Sequence, residues 1–117
     1  MTAPASLPLS KARVSGELVF LSGDLPIDAS GAVPEGIEAQ TTLTLERIAA
    51  TLQTQSLGLG DVVSVTAYLT DAADFVAFNR VYASHFQPPY PVRTTVRADL
   101  MLPGARLELT VVARARA

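Results

Sequence analysis

The chain has 117 residues, net charge −2, one histidine and no cysteine, which fits one domain and excludes disulfides, thiol chemistry and a Cys/His metal site. No run among its 9 basic residues forms the electrostatic footprint of a nucleic-acid binder. Hydrophobic residues make up 49% and charged residues only 17%, too apolar a balance for a freely solvated small monomer, so a homo-oligomer is expected.

Residues 11–14 and 18–22 are short apolar runs around Ser15, Gly16 and Glu17, and they predict a hairpin. A loop rich in Gly, Pro, Asp and Ser follows to Pro34. The stretch 35–57 predicts a helix: Ile37, Leu45, Ile48 and Leu52 fall at helical spacing, and Gly58 supplies the stop. Thr41, Thr42 and Thr44 weaken its intrinsic propensity. After Gly60 and Asp61, residues 62–69 predict a strand with Val63, Val65, Ala67 and Leu69 on one side. Asp71 is a cap for a second helix running to Phe86, with Asp74 complementing its dipole. Phe75, Phe78, Tyr82 and Phe86 form one apolar stripe, which predicts core. Residues 93–98 and 106–114 predict two more strands, separated by the turn signal at Leu102, Pro103 and Gly104. The order is ββαβαββ in a single domain over 1–117: an α+β fold with a mixed sheet and two helices on one face. Arg114 and Arg116 are the only basic concentration and read as a frayed tail. No stretch approaches the roughly 18 apolar residues of a membrane helix, and the N-terminus lacks a charged start before an apolar core, so a cytoplasmic protein is expected.

The segment from Tyr90 to Val96 sets one arginine, Arg93, at the mouth of a strand, behind Pro88, Pro89 and Pro91. Arginine offers a rigid fork of donors that matches a carboxylate, and the prolines limit the backbone around it. One reading is a receptor for a small carboxylate; the other is an ordinary surface arginine on an edge strand. Strand alternation puts Arg93, Thr95 and Arg97 on one face, and Arg106, Glu108 and Thr110 together in the last strand. Arg93 and Glu108 converge if those strands lie at a subunit boundary, where the carboxylate can hold a water and accept its proton. Otherwise Glu108 is a solvated strand residue, or pairs with Arg106 or Arg97.

Several stretches resemble the YjgF/RidA family of imine and enamine deaminases, also called endoribonuclease L-PSP. They are GELVFLSGDLP at 16–26, IEAQT at 37–41, LERI at 45–48, DVVSVTAYLTD at 61–71 and DFVAFNRVY at 74–82. Phe86, PVRTTV at 91–96 and LEL at 107–109 complete the set, and the likeness runs nearly end to end. The resemblance implies a chorismate-mutase-like fold, a homotrimer with sites in its interfaces, and neither metal nor organic cofactor. It implies that Arg93 grips the carboxylate of a 2-imino acid or its enamine tautomer. Glu108 holds the attacking water, Ser22, Gly23 and Thr95 line the pocket, and Asn79 lies nearby. The products are a 2-oxo acid and ammonia.

Two departures from the family pattern fall on the pocket rim. Leu9 stands where deaminating members carry a tyrosine hydroxyl. Asp24 stands where glutamine is frequent, and a pairing between Asp24 and Arg93 would weaken carboxylate binding. The alternative functions are a non-catalytic, small-carboxylate-binding or regulatory trimer and, ranked lower on the acidic charge balance, the ribonuclease of the family's older name.

Overall fold

The computed structural model describes residues 7–115. Strands β1 (Ala12–Ser15) and β2 (Leu18–Leu21) pair antiparallel with Ser15 opposite Leu18. Two residues are left to turn the chain, and Gly16 takes the first place at φ +60°, a conformation open to glycine without penalty.

Helix α1 spans Ile37–Gln53, shorter than the expected 35–57 at both ends. It begins after Gly36, whose φ of +87° is not helical. The stop is not Gly58 but Ser56, at φ +60°. Leu57 N donates to Leu52 O and Ser56 N to Gln53 O, the two bonds of a Schellman motif. Leu57 and Leu52 are both buried, the hydrophobic contact that accompanies it. Thr41 and Thr44 are accommodated because their hydroxyls donate to the carbonyls of Ile37 (2.7 Å) and Gln40 (2.9 Å), so burial leaves neither unsatisfied.

Strand β3 (Val62–Leu69) sits between β4 (Val92–Arg97), to which it runs parallel, and β5 (Leu107–Arg114), to which it is antiparallel. The sheet order is β1-β2-β5-β3-β4. A bulge between Val62 and Ser64 corrects the expected alternation: Val62 enters the core and Val63 turns outward, as an extra residue reverses the side-chain phase. From Val65 onward the alternation holds. Helix α2 (Phe75–His85) carries the chain from β3 to β4, preceded by a single turn over Ala72–Asp74 in which Asp71 Oδ1 accepts from Ala73 N at 2.8 Å. Asp74 makes no helix-cap bond. Its buried carboxylate instead accepts from Arg106 Nε and Nη2, both at 2.9 Å, a bidentate pair.

One apolar cluster joins the inward faces of the strands to Ile37, Leu45, Ile48 and Leu52 of α1 and Phe78 and Tyr82 of α2. Both helices therefore cover one face of the sheet. Phe75, expected in the same stripe, stays 43% exposed at the first position of α2. Among the described residues, no helix covers the opposite face. That face presents Leu18, Phe20, Val92 and Val96 as exposed apolar side chains, a surface consistent with burial against another copy. The C-terminal basic residues divide: Arg114 closes β5 rather than fraying, and Arg116 lies outside the described residues. Among the described residues, no helix is long and apolar enough to cross a membrane.

Candidate functional site

The residues singled out by sequence fall into two groups. The first lies on the helix-facing side of the edge strand β4. Arg93 is paired in register with Val65 and Thr95 with Ala67, and both partners are buried under the helices. Their spacing on α2 brings Asn79 and the aromatic stripe to the same place. Arg93 Nη2 donates to Asn79 Oδ1 at 2.7 Å. The guanidinium carbon lies 4.7 Å from the Tyr82 ring centroid, 5.3 Å from Phe78 and 5.9 Å from Phe75, all within cation–π range. The arginine is thus fixed by one amide and three rings, while no carboxylate among the described residues pairs with it. Burial pushes the Tyr82 phenol above its ordinary value, against the opposing charge of Arg93 and its hydrogen bonding. The buried Tyr82 hydroxyl nevertheless makes no hydrogen bond of good geometry.

The second group lies on the open face. Glu108 is opposite Tyr68 in β5, while Leu107 and Leu109 on either side of it face the core. Asp24 and Leu109 exchange both backbone bonds, at 2.8 and 3.0 Å, which lays the 22–24 segment along β5. Gly23 is thereby set against Glu108 so closely that a Cβ would collide with the carboxylate and come within 3.3 Å of Thr110 Oγ1. Here glycine serves close approach rather than an unusual φ. Ser22 Oγ donates to Ser10 O at 2.6 Å and so anchors the segment carrying Leu9, which is exposed. The Glu108 carboxyl is raised above its ordinary value, first by burial and then by the nearby charge of Asp24. No cation among the described residues pairs with it, neither Arg106 nor Arg97.

Asn79, Arg93 and Thr95 therefore come together, as do Ser22, Gly23 and Glu108, but the two groups occupy opposite faces of one sheet. A single chain does not bring Arg93 to Glu108. Asp24 does not reach Arg93 either: its Oδ1 accepts from Arg47 Nε at 2.7 Å, and Arg47 Nη1 donates to Ile27 O. Within one chain, Asp24 is therefore paired with Arg47 and not with Arg93. Among the described residues no group of three His, Asp or Glu side chains could hold a metal ion.

Sequence reasoning missed that the aromatic stripe is also the seat of Arg93. The signal was available, since Phe75, Phe78, Asn79 and Tyr82 lie at offsets of three, four and seven, on one helix face. It also missed Gln40, a buried amide whose Nε2 donates to Pro34 O and Gly104 O and whose Oε1 accepts from Arg106 N. Gln40 thereby fixes the loop that launches β5 and its glutamate.

The family model described as Endoribonuclease L-PSP matches residues 1–115. The chain belongs to the YjgF/RidA family. It is 38% identical over 109 residues to the protein mmf2, mitochondrial, of Schizosaccharomyces pombe, covering 91% of this chain and 86% of that one. It is 35% identical over 114 residues to Reactive Intermediate Deaminase A, chloroplastic, of Arabidopsis thaliana, covering 95% of this chain and 61% of that one. The crystal structure of Escherichia coli TdcF with bound serine superposes with a TM-score of 0.86 at 30% identity, covering 97% of this chain and 91% of that one. In this member of the YjgF/RidA family the two groups of residues thus lie on opposite faces of the sheet.

Proposed function

We propose that the protein hydrolyses a reactive 2-imino acid or its enamine tautomer to a 2-oxo acid and ammonia, at sites assembled between copies of the chain in a cytoplasmic homotrimer. The observation that carries this reading is the Arg93 guanidinium, held by Asn79 and three aromatic rings with no carboxylate partner. Such a group is preorganised for an external carboxylate, since its ordering cost is met before the ligand arrives. In this reading Arg93 binds the substrate carboxylate and Thr95 lines the pocket beside it. Glu108 from another copy, with Ser22 and Gly23, holds a water next to the imine carbon. The water oxygen bonds to that carbon as the C=N π electrons move to nitrogen, and one water proton passes through Glu108 to that nitrogen, giving a carbinolamine. Glu108 then takes the hydroxyl proton and delivers it to nitrogen as the C–N bond breaks, leaving the C=O group and ammonia. A carboxyl raised by burial is the better proton acceptor for this step. The names of the Arabidopsis relative and of the serine-bound TdcF structure support the deaminase class and a small carboxylate ligand.

The second reading, a carboxylate-binding trimer without turnover, draws on the same serine complex and on the apolar Leu9 at the rim. The nuclease reading is disfavoured by charge. The net charge is −2, and among the described residues Arg47, Arg80, Arg106 and Arg114 each pair with a carboxylate, which reduces the positive charge offered to a phosphate backbone.

The test is release of ammonia and 2-oxo acid from freshly generated 2-imino acids by wild type, Arg93→Ala and Leu9→Tyr. Turnover should depend on Arg93 and rise in Leu9→Tyr. Co-assembling Arg93→Ala with Glu108→Gln subunits should restore about a quarter of wild-type activity, because that share of randomly formed cyclic interfaces receives both native residues. No turnover in wild type would promote the binding-module reading, and no restoration on mixing would sink the shared site.

A further inference from the structure

The helix-facing side of β4 continues past Arg93 into a pocket of about 210 Å³, lined by Leu69, Ala72, Phe75, Thr95, Val96 and Arg97. We infer that this pocket takes the side chain of the substrate, and that the preferred substrates are 2-imino acids bearing a branched aliphatic or aromatic group. The inference rests on the carboxylate-binding role of Arg93 proposed above.

Three observations lead there. The first is continuity. Thr95 follows Arg93 on the same face, roughly 6.6 Å along the strand. Phe75 belongs to both places, with its ring 5.9 Å from the Arg93 guanidinium carbon and its edge in the pocket wall. A molecule whose carboxylate is gripped by Arg93 can lay its side chain along β4 into this space.

The second is the chemistry of the wall. Leu69, Ala72 and Phe75 are apolar, and no carboxylate lines the pocket. Phe75 is the one member of its stripe left 43% exposed, so an apolar side chain covering it gains the burial that the fold itself does not provide. Arg97 has no acidic partner among the described residues, and its charge would repel a basic side chain. The third is size. The volume corresponds to about seven waters at the ~30 Å³ each occupies in liquid. A methyl group would leave most of it unfilled and forgo those contacts.

Binding of three stable product analogues tests this by calorimetry: pyruvate, 4-methyl-2-oxopentanoate and phenylpyruvate, with kcat/KM measured on the matching imines. Wild type should favour the two larger acids over pyruvate by roughly 10-fold or more, the value of added methylenes in an apolar pocket. Ala72→Phe, at an exposed position ahead of α2, should fill the pocket and bring that ratio near one. Independently, Arg97→Glu should raise the affinity for a 2-oxo acid with a guanidinium tail. A wild-type preference for pyruvate, or an unchanged ratio in Ala72→Phe, would overturn the assignment. Size-selective binding without turnover would support the pocket and refute only the deaminase reading. Binding of none of the three acids would refute both.

Discussion

Gly23→Ala is the most direct probe of how the fold holds Glu108. The φ of Gly23 is not in the left-handed region, so alanine meets no backbone strain there. Its Cβ would, however, overlap Glu108 Oε2, with the carboxyl carbon only 3.1 Å away. Carbon and oxygen at ordinary contact stand about 3.5 Å apart, so the carboxylate must move by roughly 1 Å or more. It is the free end of a side chain with no ion-pair partner among the described residues, so the displacement is cheap for folding. Stability should change by no more than the ~0.5 kcal/mol typical of a benign surface substitution. A 1 Å misplacement of a catalytic group can lower turnover by about 100-fold. Single-turnover hydrolysis of a 2-imino acid at saturating enzyme would therefore fall about 100-fold, with an unchanged melting temperature. The double variant Gly23→Ala/Glu108→Asp, one methylene shorter, should recover part of that loss relative to Gly23→Ala alone. Wild-type turnover in Gly23→Ala would refute the reasoning, because Glu108 would then not need the place that glycine leaves it.

Three further outcomes follow from the fold. Ser56→Gly should stabilise the protein by about 1 kcal/mol in denaturant unfolding, since Ser56 occupies the left-handed C′ position at φ +60° where a Cβ is disfavoured. Gln40→Leu should destabilise it by about 2–3 kcal/mol, because Arg106 N and the carbonyls of Pro34 and Gly104 lose their partner. Glu108→Gln should raise the melting temperature at pH 7. With the Glu108 pKa raised in the fold, the folded state binds the proton more readily than the unfolded state. This carboxyl therefore disfavours folding above its folded pKa and ceases to do so as pH falls below its unfolded value. The gain from Glu108→Gln should accordingly shrink as pH falls through that window, as thermal melts across pH would read. A constant difference at every pH would contradict the assignment.

Much of the fold was legible because period and punctuation agreed. Ile37, Leu45, Ile48 and Leu52 mark the inward stripe of α1, Gly16 marks the hairpin turn, and Leu107, Leu109, Val111 and Ala113 mark the inward face of β5. The misreadings sit where local rules have two solutions. Gly58 looked like the stop of α1, but a serine two residues earlier could adopt the left-handed state because Leu57 gained a buried contact by it. Val63 fitted an alternation that the bulge beside it reversed. Asp74 suited a helix dipole in sequence, but Arg106, 32 residues away, claimed its carboxylate.

The site divides in the same way. Residue types and order in the sequence determined which groups are candidates for chemistry: an arginine behind a proline-rich loop, a glutamate in the last strand and a Ser-Gly pair after the hairpin. Tertiary structure alone decided their neighbours. Parallel pairing of β3 with β4 turned Arg93 toward the helices, where Asn79 and Tyr82 meet it. Antiparallel pairing of β5 turned Glu108 the other way, toward Gly23. Side-chain direction in a strand alternates with every residue, so the face each group occupies depends on register between segments far apart in the chain. No local pattern specifies that register.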